Sequence, residues 1–164
     1  MRADKVKIFE ESFQKIKDHI EKLLKQSDAK CAFLIDRDGN LITYSGDTKG
    51  IDIESFAALA AADFAATSQL ASLIGEKDFE TLYHQGENQH LYFQLVAKGI
   101  VLAVVFDHRT TLGLVRVRVK STADVISSVI DEIFKQAETQ PIKEEEVKDI
   151  TKDIEQELDR LFGG

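Results

Sequence analysis

Phe9, Phe13, Ile16, Ile20 and Leu23 recur at spacings of four, three, four and three, with Lys15, Lys17, Asp18, Glu21 and Lys22 interleaved. That pattern predicts an amphipathic helix over residues 4–27. Two apolar runs, 30–36 and 41–44, are joined by Arg37-Asp38-Gly39-Asn40. An Asp-Gly pair there predicts an antiparallel hairpin, because glycine accepts the positive φ of a tight turn. Asp52 offers an N-cap for a helix from 53 to about 74, and Gly75 stands where a helix end takes a left-handed residue. Strands at 79–84, 91–97 and 100–107 follow, linked by Gly86-Glu87-Asn88-Gln89 and Lys98-Gly99. Every residue from Ile100 to Phe106 is apolar, which marks a central strand covered on both faces.

The next segment, 110–138, carries two competing periods. Val115-Arg116-Val117-Arg118-Val119 alternates like a strand, whereas Leu112, Val115, Val119, Ala123, Ile126, Val129, Ile130 and Ile133 mark one helical face. The stripe outruns any ordinary strand, so helix is expected. The order helix, two strands, helix, three strands, helix defines an α+β domain, a five-stranded antiparallel sheet flanked by helices.

The helix at 53–74 is unusual in its alanines. Ile53, Phe56, Leu59 (or Ala60), Phe64, Leu70, Leu73 and Ile74 supply the bulk expected of a core-facing stripe. Ala61, Ala65 and Ser68 then form a separate, nearly flat face that lets another backbone approach closely. Alanine is also the best helix former, so composition leaves both readings of that face open.

Thr139-Gln140-Pro141 is a breaker, dividing a domain at 1–138 from a linker and helix at 139–164. In 143–164, four basic residues face eight acidic ones, and Val147, Ile150, Ile154, Leu158, Leu161 and Phe162 recur at helical spacing. A frayed, solvated end is one reading. A recognition helix that folds into a groove is the favoured one, since solvation has no use for Phe162 in that register.

Charge and chemistry narrow the function. With 21 basic and 29 acidic residues in 164, the net charge is −8. An acidic surface argues against nucleic acid, whose binding draws on released counterions. The run 100–106 is too short to span a bilayer, no leader is visible after Met1, and Cys31 is the single cysteine, so a cytoplasmic address is expected. The chain has no phosphate loop, nucleophile elbow or zinc-binding helix, and no cofactor is expected. His84, Glu87 and His90 around one turn are a weak metal pattern, so no metal site is assigned. Cys31, at the start of a strand, is expected to be a small core residue.

Phe33-Leu34-Ile35-Asp36-Arg37-Asp38-Gly39 with Leu41-Ile42 resembles the first hairpin of Roadblock/dynein-light-chain domains. Leu59 through Gly75-Glu76, His84-Gln85-Gly86-Glu87, Leu91-Tyr92, Val104-Val105-Phe106-Asp107 and Thr111-Leu112-Gly113-Leu114-Val115 are similar, more narrowly, to the MglB type within that superfamily. The likeness spans about residues 6–137 and implies the Roadblock-like (profilin-like) layer fold. It implies a homodimer joined through the second helix and third strand, here at Ala58, Ala62, Phe79, Leu82 and His84. It also implies binding of a Ras-like small GTPase of the MglA type, carried over to Ala61, Ala65, Ser68 and Gln69. Phe64 is bulkier than that family's pattern, and Asp63 stands where Asn is common. The implied activity is stimulation of GTP hydrolysis without an inserted arginine and without an active site of the protein's own. Cell polarity or motility, a polar location and a polarity adaptor as a further partner belong to the same resemblance. The acidic, Leu-Phe-ending tail is similar to extensions that imply a second GTPase contact at Ile154, Leu158, Leu161 and Phe162. The alternative within the superfamily is a passive dimeric scaffold.

Overall fold

In the computed structural model, which describes residues 2–139 and 144–162, the order is α1 (Arg2–Ser27), β1 (Cys31–Ile35), β2 (Leu41–Gly46), α2 (Ile53–Leu73), β3 (Thr81–Gln85), β4 (Gln89–Leu95), a 3-10 turn (Ala97–Gly99), β5 (Val101–Asp107), α3 (Leu112–Thr139) and α4 (Glu144–Phe162). The five strands form one antiparallel sheet in the order β2-β1-β5-β4-β3. One compact unit runs to Asp131 and a second begins at Glu132. Of the expected breaker, Gln140 and Pro141 lie outside the described residues.

Local chemistry explains the turns. Asp36 Oδ1 accepts from the Asp38 and Asn40 amides, each at 2.9 Å, and Gly39 takes φ +89°. Lys98 and Gly99 both have positive φ, which reverses the chain between β4 and β5 within three residues. At Gly46, φ is +97° and an added Cβ would lie 2.5 Å from the Lys30 carbonyl oxygen, so only glycine fits. The segment with two periods is helix, and Val115, Val119, Ala123, Ile126, Val129 and Ile130 are buried along it.

Strand alternation divides the core. Cys31, Phe33, Ile35, Phe93, Val101, Ala103 and Val105 face α2, where Phe33 lies 4.5 Å from Phe56 between ring centres. The alternate residues Ala32, Leu34, Leu102, Val104 and Phe106 are buried on the opposite face. The stripes of α1 (Ile16, Ile20, Leu23) and α3 are buried yet take no part in the α2-side cluster, which places them in the other layer. β5 is buried from Val101 to Phe106, as its uniform apolarity requires. The third strand starts at Thr81 and not at Phe79. Its span is set by pairing with β4, from Thr81 opposite Gln94 to Gln85 opposite His90.

Candidate functional site

Large apolar side chains stand exposed along α2, which borders the edge strand β3. Asp52 caps α2, accepting from the Ser55 amide at 3.2 Å and the Ser55 hydroxyl at 2.9 Å. Those two bonds hold its carboxyl below the usual range. At the other end Gly75 adopts φ +82°, and the Glu76 amide returns to the Ala71 carbonyl at 2.9 Å.

Between the caps, the helix turns inward only part of the stripe its bulky residues predict: Ile53 and Phe56 pack against the core cluster and Ala60 and Phe64 belong to it, but the later leucines do not. Ala57, Ala60, Phe64, Thr67 and Ala71 are buried, whereas Leu59 is 70% exposed, Leu70 59%, Leu73 81% and Ile74 71%. Small side chains bring the helix close to the sheet, and Phe64 fills the remaining space. By length and composition α2 could cross a bilayer. Its mid-helix Asp63, bonded to His84, and its alanine stripe seated in the sheet's core account for it as a layer of this fold.

Two flanks border the buried stripe. Leu59, Asp63, Ala66 and Leu70, at spacings of four, three and four, lie toward β3. The contact between Asp63 Oδ2 and His84 Nε2, at 2.7 Å, fixes that orientation. His84 also stands edge-on to Phe93, with ring centres 6.0 Å apart. The opposite flank carries Ala58, Ala61, Ala65 and Ser68 and lies toward the β1–β2 turn, since a Cβ on Gly39 would come within 3.1 Å of the Ala58 backbone. Ala61 and Ser68 are half-buried, and Ala58, Ala62, Ala65 and Gln69 are exposed.

Of the residues expected at a GTPase contact, the structure thus gathers Ala61, Ala65 and Ser68 on one flank, with Gln69 beside them. Of those expected at a dimer contact, Leu82 and His84 share the α2 face of β3, Ala62 is on the outer surface of α2, Ala58 sits by the hairpin turn and Phe79 precedes the strand. Leu59 and Leu70, expected in the core-facing stripe, are instead exposed, and the sequence reading did not group them with Asp63 and Ala66 as a flank beside β3. The signal for that flank was a carboxylate in the middle of an apolar helix.

Other candidates lie elsewhere. His84 and His90 point to opposite faces of the sheet, His90 packing on Phe106 with ring centres 5.1 Å apart. An open groove of about 380 Å³ beside the β3–β4 turn is lined by Ile51, Phe56, His84, His90 and Leu91. Cys31 is buried in the α2-side cluster, and that burial pushes its thiol up to about 11. Asp107 is held low by the Arg109 side chain, 3.0 Å away. In α4, Ile154 and Leu158 are each 38% exposed, Leu161 68% and Phe162 56%. Arg2, Arg37, Arg109, Arg116, Arg118 and Arg160 all lie outside α2 and β3.

A layered sheet with this element order defines a Roadblock domain, and the Roadblock/LC7 domain family matches residues 15–106. The chain belongs to the Roadblock/LC7 family. Within it the chain is of the MglB type: it is 41% identical to Myxococcus xanthus MglB, with a TM-score of 0.72 over 74% of this chain and 91% of that one. The gliding protein MglB of Thermus thermophilus is 30% identical, with a TM-score of 0.70 over 74% of this chain and 92% of that one. An MglB structure described as having a tetrameric arrangement is also 30% identical, with a TM-score of 0.71 over 74% and 92%. An uncharacterized protein of Methanocaldococcus jannaschii is 31% identical over 107 residues, 65% of this chain and 92% of its own length.

Proposed function

We propose that this protein is a homodimeric regulator that binds a Ras-like small GTPase of the MglA type and stimulates GTP hydrolysis. The observation that carries the reading is the apolar surface of α2, exposed beside the edge strand β3, on a chain so similar to MglB. An edge strand with free backbone groups invites pairing, and an exposed leucine ridge gains by burial against a second copy. Two α2 helices side by side then offer the flat flank of Ala61, Ala65 and Ser68 to the GTPase. With no arginine on α2 or β3, stimulation works by selecting the hydrolysis-competent arrangement of the GTPase's own switch loops. The acidic helix α4 supplies a second contact through Ile154, Leu158, Leu161 and Phe162.

Single-turnover GTP hydrolysis by an MglA-type GTPase, with and without this protein, tests the activity, and sedimentation velocity tests the dimer. Faster hydrolysis is expected, together with a mass of two chains. Binding with no change in turnover would assign the protein to passive scaffolding instead. Replacing each arginine singly with alanine is expected to leave stimulation within about tenfold. One such change that abolished turnover but kept binding would overturn the finger-free mechanism.

A further inference from the structure

The outer face of α3 carries a surface that the α2 contact does not use. Val117 stands opposite the buried stripe and is 62% exposed, with Leu114, 38% exposed, one turn before it. Arg116 and Arg118 flank Val117 and are both exposed. Among the described residues neither makes an ion pair or a side-chain hydrogen bond, whereas Lys120 meets Asp124 at 3.7 Å. The first turn of α3 has no acidic residue, so the positive end of the helix adds to the arginines. Four residues to either side of Val117 stand Gly113 and Ser121, and a Cβ at Gly113 would meet nothing within 4 Å.

Charge and shape together select an occupant. Arginine is the cation favoured in protein interfaces, where its planar fork grips carboxylates. Anionic bilayers are recognised by clusters of roughly four to eight basic residues. Here Arg116 and Arg118 stand with the already paired Lys120 on a chain of net charge −8. The ridge Gly113–Val117–Ser121 follows the i+4 row of the helix, a raised valine between two notches, which suits the groove of a second helix.

We propose that this face docks an acidic amphipathic helix of a partner protein. Its apolar stripe lies along Leu114 and Val117, and carboxylates on either side meet Arg116 and Arg118. This contact is independent of the proposed GTPase reading.

The test uses the full chain and a labelled synthetic helical peptide with leucines on one face and glutamates flanking them, followed by fluorescence anisotropy. Saturable binding is expected, weakening as salt rises from about 50 to about 300 mM. The Arg116→Glu/Arg118→Glu double variant, and separately Val117→Asp, are expected to weaken it by about tenfold or more. Circular dichroism melts establish that both variants fold. Equal binding by the variants, or by a peptide with lysines in place of the glutamates, would overturn the proposal. So would anionic phospholipid vesicles that bind the chain and lose it in the same variants, which assigns the face to a membrane. A fall in sedimentation mass caused by the double variant would overturn it too, assigning the face to copies of this chain.

Discussion

At Asp52 one carboxylate does two jobs for α2, accepting from both the amide and the hydroxyl of Ser55. Its pKa is lowered in the folded protein, so its contribution to stability is complete above the unfolded value of 3.8 and is lost as pH falls through the folded one. Asp52→Ala is therefore expected to lower the urea midpoint at neutral pH. The gap from the unmodified chain should close in acid, below pH 3.8. A gap that stays constant down that titration would show that the charge contributes nothing. Cys31 behaves in the opposite sense. Burial raises its thiol to about 11, so little thiolate forms at pH 8. A disulfide reagent such as dithionitrobenzoate should leave it untouched in the native state and modify it once urea unfolds the chain; rapid native labelling would contradict its place in the core.

At the scale of elements, α2 separates the residues that hold the fold from the exposed ones that the proposed dimer would cover. Phe64 is 6% exposed and packs in the sheet's core, so Phe64→Ala should cost about 3–5 kcal/mol in a denaturant titration. Leu70 is 59% exposed, and Leu70→Glu should leave stability within about 0.5 kcal/mol while reducing the sedimentation mass to one chain. An unchanged mass would move the dimer contact away from this ridge. The same helix shows where reading from sequence stops. Its limits were legible, because Asp52 and Gly75 are chemical signals of a helix start and end. Its orientation was legible only as far as Phe64. An amphipathic helix such as α1 declares its wet side through Lys15, Asp18 and Glu21, but α2 has only Glu54 and Asp63 as charged residues, so bulk was the main guide. Close packing on a sheet rewards small residues, and Leu59, Leu70, Leu73 and Ile74 were left outside. For α3 the length of the stripe was decisive: a single helical face over many turns outweighs five alternating residues. The contact of Asp63 with His84 joins residues 21 positions apart, which no local pattern announces.

At the scale of the molecule, the proposed function gives the part that resembles MglB and the acidic extension separable roles. A chain ending at Gln140 should still sediment as two copies but bind or regulate the GTPase differently. Identical binding, exchange and hydrolysis after that truncation would remove α4 from the mechanism. The strand order has a consequence of its own. β1 and β5 are neighbours at the centre of the sheet, with Cys31 opposite Val105 and Ile35 opposite Val101, so the opening hairpin and the closing meander are sewn together across most of the domain. During synthesis, the newborn hairpin must wait for the last strand to emerge from the ribosome before its backbone is shielded. Pulsed deuterium labelling should find amides in these two distant segments becoming protected in the same step.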